Sequence, residues 1–125
     1  MMNYKKTLFW ALILPLVFSA QANADGNELL QKCNKAVQFM DNPPKNPDFG
    51  SIGFCLGMMQ GITNLNSVYE VRLSDEALFC GPEDGINNGQ ATRIVVKYLK
   101  DNPQALHQHE GVLAIAAFMD AYPCD

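Results

Sequence analysis

Cys33, Cys55, Cys80 and Cys124 restrict what this chain can fold into more than any other feature. Whether they are bridges or metal ligands depends on the compartment, and the first two dozen residues speak to that. Lys5 and Lys6 form a short basic region and Leu8 to Phe18 an apolar run. Ser19-Ala20-Gln21-Ala22-Asn23-Ala24 then offers small residues at both recognition positions of a signal peptidase. The apolar run holds about a dozen residues where a membrane-spanning helix needs ~20. Residues 1–24 therefore read as a cleavable signal peptide, cut after Ala24 or, as second choice, after Ala22. No cysteine follows the run directly, which argues against a lipid-anchored form. In an exported chain of this size an even cysteine count reads as two disulfides. The wide spacings and the lack of any C-x-x-C pair speak against a metal site, so the expectation is no metal and no cofactor.

Residues 25–125 remain, enough for one domain that buries roughly 65% of its unfolded surface. The full chain carries a net charge of −4, and loss of the two leader lysines takes it to −6. Nucleic acid and anionic lipid both reward dense Lys and Arg, so neither suits this domain as a ligand. A basic partner protein does.

The mature chain reads as helix throughout. Leu29, Leu30, Cys33, Val37 and Met40 fall at helical spacing in a first helix over 27–40, ended by Asp41-Asn42-Pro43-Pro44-Lys45-Asn46-Pro47. A second is expected from an N-cap at Ser51 to about Tyr69, with Ile52, Cys55, Met58, Met59, Ile62, Leu65 and Val68 on its apolar side. The stretch Arg72 to Asn88 is irregular, with one short turn around Ala77 to Cys80 and a turn-rich Gly81-Pro82-Glu83-Asp84-Gly85. Asn88 is placed as the cap of a third helix carrying Ala91, Ile94, Val95, Tyr98 and Leu99, which Asn102-Pro103 ends. A tight turn over Pro103 to His107 leads into a fourth, from about Gln108 to Ala121. Nothing alternates as a strand does. The fold class is all-α, a small bundle of about four helices stapled by two disulfides.

Gly53, Gly57 and Gly61 share one face of the second helix, where each costs up to ~1 kcal/mol relative to alanine. Close packing against Ala114, Ala117 and Ala121 of the fourth helix is the favoured compensation; a homodimer contact through the same face is the alternative. His107 and His109 lie two apart in a turn and do not form a zinc pair. A thiol–histidine catalytic pair needs a free thiolate, which oxidised cysteines do not supply. No Gly-rich phosphate loop, H-E-x-x-H or G-x-S-x-G occurs. The expectation is a binding protein, not an enzyme.

Four segments in order resemble one known family: Gly53-Phe54-Cys55-Leu56-Gly57, Phe79-Cys80-Gly81-Pro82, Val96-Lys97-Tyr98-Leu99-Lys100-Asp101-Asn102-Pro103 and Ala121-Tyr122-Pro123-Cys124. Over residues 29–124 the chain is similar to the Rap/Tai immunity proteins of type VI secretion systems. The resemblance implies a periplasmic helical protein, usually a homodimer. It would bind a peptidoglycan-cleaving amidase injected by sister cells and block it by occluding the active-site cleft. A periplasmic helical adaptor or stress protein that binds another protein ligand is the alternative.

Four cysteines allow three pairings. Cys33 lies about seven residues before the proline-rich loop and Cys55 about four after the second helix begins, so in an antiparallel hairpin they sit at similar height. The expected bridges are Cys33–Cys55 and Cys80–Cys124, the second tying the C-terminus to the irregular segment. That segment, Arg72 to Asn88, is the expected toxin-binding surface, because Asp75, Glu76, Glu83 and Asp84 concentrate negative charge there opposed only by Arg72. A loop pinned by a disulfide loses less entropy on docking than a free one. The turn from Asn102 to Glu110 is the rival surface.

Overall fold

Each helix begins where a short polar side chain takes up the first free backbone N–H groups. The computed structural model describes residues 24–73 and 76–125. Helix α1 (Gly26–Asp41) is capped by Asp25, whose carboxylate accepts from the N–H groups of Asn27 and Glu28 at 3.0 and 3.1 Å. It ends as Pro43 and Pro44 remove the donors that would continue it. Helix α2 (Phe49–Arg72) starts two residues before the expected Ser51, because Asp48 is the better cap. The Asp48 carboxylate accepts from the Ser51 N–H at 3.0 Å, from the Ser51 hydroxyl at 2.8 Å and from the Lys35 ammonium at 2.7 Å. One residue thus closes a helix end and ties it to α1. Asn87, not Asn88, caps helix α3 (Asn88–Asp101) by accepting from the Gln90 N–H. A single 3-10 turn over Pro103–Ala105 leads to helix α4 (Glu110–Ala121), whose cap is the Nδ1 of His109.

Helices α1 and α3 form the centre; α2 packs on both from one side, and α4 packs on α3 and α1. Leu29, Cys33, Ala36, Cys55, Met59, Ala91, Val95, Leu99, Ala114 and Phe118 are fully buried in one core. No strand occurs among the described residues, only an isolated bridge in which Gly26 N–H donates to Gln108 O and Glu110 N–H to Ala24 O. This pairing holds the starts of α1 and α4 together. Gly26 is required there, since a Cβ on it would stand 2.3 Å from Leu113 Cδ1 and 3.0 Å from Leu106 Cα.

Both expected disulfides are present, Cys33–Cys55 with Cα atoms 5.2 Å apart and Cys80–Cys124 with 4.9 Å. They close separations of 22 and 44 residues. On the chain-entropy account each contributes roughly 3–4 kcal/mol.

The expected contact between the glycine row and the fourth helix is not formed. A Cβ built on Gly53, Gly57 or Gly61 would meet no described atom within 4 Å. The rotation of α2 explains this: Ile52, Cys55, Met59 and Asn66 point to the core, and the glycines occupy the opposite face. Leu65 and Val68, placed in the core stripe from their spacing, are likewise turned out, with 53% and 55% of their surfaces exposed. Ala114 and Ala117 are buried as small residues should be at a close contact, but their helix packs on α3 and α1; Ala121 is exposed.

Candidate partner-binding surface

The segment between α2 and α3 owes its shape to three anchors, of which the disulfide is one. The second is Asn66, buried on the inner face of α2 with 2% exposure. Its Oδ1 accepts from the N–H groups of Leu78 and Phe79 at 2.9 and 3.3 Å. Its Nδ2 donates to Phe79 O at 2.8 Å and to Glu70 Oε1 at 3.1 Å. The amide thereby satisfies every hydrogen bond it can make while filling the backbone valences of a passing strand-like segment. The third is Phe79, which stacks on Phe118 of α4 with ring centroids 4.9 Å apart. Cys80 follows at once, bonded to Cys124 and donating its N–H to Tyr122 O at 2.9 Å.

Between the anchors the chain turns outward. The short helical turn expected around Ala77 to Cys80 does not form, because the N–H groups of Leu78 and Phe79 are committed to Asn66 and that of Cys80 to Tyr122. Pro82 to Gly85 make a hydrogen-bonded turn, Gly85 N–H to Pro82 O at 2.8 Å, with Gly85 at φ +77°, a backbone region that favours glycine. Glu83 and Asp84 sit at the tip of that turn and are exposed. Glu76 and Arg72 are exposed at its base, Arg72 as the last residue of α2. Asp75 lies outside the described residues.

Apolar side chains accompany these charges. Val71 is 80% exposed, Leu73 46% and Leu78 38%. The base of the loop therefore exposes apolar side chains as well as carboxylates, the two kinds of group a protein-binding surface uses. The charges alone do not signal these apolar side chains. Val68 and Val71 were the available signal: an apolar face continues past the last core residue of α2, and Asn66 sits seven residues after Met59 on the buried side.

The other candidates hold less. His107 and His109 are exposed in the turn before α4, where His109 serves as a cap. All four cysteines are in disulfides, so no thiolate is available to a histidine. An open groove of about 660 Å³ runs along α3 to the end of α4, lined by Asn87, Gln90, Arg93, Ile94, Lys97 and Tyr122. Its two cations are already paired, Arg93 with Asp41 at 2.5 Å and Lys97 with Asp101, which holds the Lys97 ammonium above its usual range. Among the described residues no helix is long and apolar enough to cross a membrane.

Four helices on two disulfides, with a rigidly anchored and chemically mixed loop, define a small stapled helical protein built to present a surface. The chain belongs to the family of Rap1a immunity proteins, whose model matches residues 25–124. No match was found among curated proteins or among solved structures. Membership places the chain in toxin immunity, with a protein toxin as its partner.

Proposed function

We propose that this protein acts in the periplasm, after signal-peptide cleavage, as a homodimeric inhibitor of a peptidoglycan amidase delivered by a type VI secretion system. It protects the cell from sister-cell attack by covering the amidase cleft, without chemistry of its own. The observation that carries this reading is the described part of that segment, Glu76 to Asn88, largely exposed yet held by Asn66, the Phe79–Phe118 stack and Cys80–Cys124. Such a segment is already ordered before it docks, so binding spares the entropy of ordering it. Val71, Leu73 and Leu78 supply the apolar centre of the contact. Arg72, Glu76, Glu83 and Asp84 form its rim, with Asp75 completing the acidic run in the sequence. An acidic rim steers a basic cleft margin into place.

The test is direct. Any amidase encoded beside the gene is assayed on purified peptidoglycan with and without the exported protein. Stoichiometric inhibition supports the reading. Failure to bind or inhibit that amidase sinks it and leaves a periplasmic adaptor as the function of the scaffold.

A further inference from the structure

The two bridges close in opposite surroundings. Cys33 and Cys55 join α1 to α2 and are fully buried, in the same core as Leu29, Met59 and Val95. Once that core has formed, no oxidant or thiolate can approach either sulfur, and thiol–disulfide exchange depends on access. Cys80 and Cys124 are both exposed. Their meeting, moreover, does not depend on the bond between them. Asn66 holds the backbone of Leu78 and Phe79, and Phe79 stacks on Phe118. The Cys80 N–H donates to Tyr122 O at 2.9 Å, and Gln90 Nε2 donates to the Tyr122 hydroxyl at 2.8 Å. These non-covalent contacts hold the two cysteines side by side, Cα atoms 4.9 Å apart, within the reach of a disulfide.

We infer that Cys80 and Cys124 form a redox site on the folded domain, joined after the core has closed and open to exchange thereafter, whereas Cys33–Cys55 is made earlier and then sealed. The partner is a disulfide-carrying oxidoreductase. The thiolate of one cysteine attacks the oxidant's disulfide, forming a mixed disulfide and expelling one thiolate. The thiolate of the other cysteine then attacks its neighbour's sulfur, forming Cys80–Cys124 and expelling the second. Two electrons pass to the oxidant, which ends as two thiols carrying the two protons the cysteines gave up. A dithiol reductant runs the same steps backwards.

The order of the cysteines agrees with this sequence of events. The first pairs with the second and the third with the fourth, and the buried bond spans 22 residues against 44 for the exposed one. A shorter loop closes at lower entropic cost. The native buried bond therefore forms early without rearrangement of a wrong pair. The late bond acts on the loop: it is the covalent tie between the start of the Gly81 to Gly85 turn and the chain beyond α4. The proposed binding segment is thus completed last, by the one bond that solvent can reach.

Only the consequence for toxin binding rests on the proposed function. To test the redox site, protein exported from the full-length precursor is reduced and unfolded, then refolded in a mixture of reduced and oxidised glutathione. Samples quenched with acid are alkylated and mapped. A species holding Cys33–Cys55 alone, with the circular dichroism of the native helices, should accumulate first and gain Cys80–Cys124 without unfolding. Appearance of Cys80–Cys124 first, or an unfolded Cys33–Cys55 species, would overturn the inference. Cys80→Ser combined with Cys124→Ser gives a second reading that refolding cannot obscure. This variant should keep the helical spectrum, while hydrogen exchange of the amide at position 80 quickens several-fold; loss of the helical fold would contradict a site assembled on a finished core. Amidase affinity is measured on the same variant. A several-fold loss supports the tie to the binding segment, and unchanged affinity overturns that tie.

Discussion

Asn66 decides the conformation of the loop, and its removal has a calculable consequence. Asn66→Leu leaves the Phe79 N–H and carbonyl without partners in a buried setting, and the part-buried Leu78 N–H with them. Leaving a buried polar group unsatisfied costs about 1–3 kcal/mol. Urea unfolding should therefore show a loss of at least that size, and hydrogen exchange at Leu78 and Phe79 should accelerate. The two disulfides differ as sharply. Cys33 and Cys55 are fully buried, whereas Cys80 and Cys124 are both exposed. A thiolate attacks a disulfide only where it can reach a sulfur. Mild reduction followed by alkylation and peptide mapping should thus label Cys80 and Cys124 well before Cys33 and Cys55; equal labelling at all four would contradict the burial. Asp48 contributes to the acid limb of stability. The Lys35 ammonium and the two Ser51 donors hold its carboxyl well below the usual 3.8, and the N–H groups of Glu28 and Asn27 lower Asp25 in the same direction. A depressed folded-state value stabilises the fold above the unfolded value, and this contribution is lost as pH falls through the folded one. Asp48→Asn keeps a cap but loses the ion pair, so its melting temperature should fall less steeply than the parent's between roughly pH 5 and pH 2.

At the scale of elements, the sequence revealed the helices more readily than their ends or their facing. Apolar residues at a 3.6 period mark α1 and α3 because each has one core side. Helix α2 carries apolar residues on both sides, so periodicity could not say which side meets the core; the bond from Cys55 to Cys33 and the burial of Asn66 set the rotation. That is why the glycine row read as an internal contact, whereas it faces outward. Two caps moved, by three residues and by one, for a local reason: Asp48 precedes Ser51 and Asn87 precedes Asn88, and the side chain that reaches a free N–H wins. The acidic loop was legible as charge, but its apolar base and its Asn66 anchor depend on long-range contacts that no local pattern encodes. The open glycines yield an element-level prediction. Gly53→Ala should raise the stability of the monomer by roughly 0.5–1 kcal/mol, because it meets no atom and gains helix propensity. Chemical denaturation at low protein concentration measures this, and a clear loss of stability would contradict the open face.

The whole molecule is a division of labour among faces. The core of α1 and α3 holds the fold, the outward side of α2 is uncharged, and the loop after it carries mixed chemistry on a rigid base. Two disulfides in an acidic domain keep that loop in place. Neutralising a toxin asks for no more than this: a preformed surface and a partner cleft of opposite charge. The loop is therefore where the account is most exposed to contradiction. The decisive measurement is the association kinetics of the exported protein with the amidase proposed as its partner, for the parent and for Glu83→Lys combined with Asp84→Lys. Both carboxylates are exposed, so the melting temperature should hold nearly constant. The account predicts a fall of about tenfold or more in the association rate at low salt, a smaller fall at high salt, and little change in dissociation. Unaltered kinetics in the double charge reversal would contradict it and move the contact away from the loop.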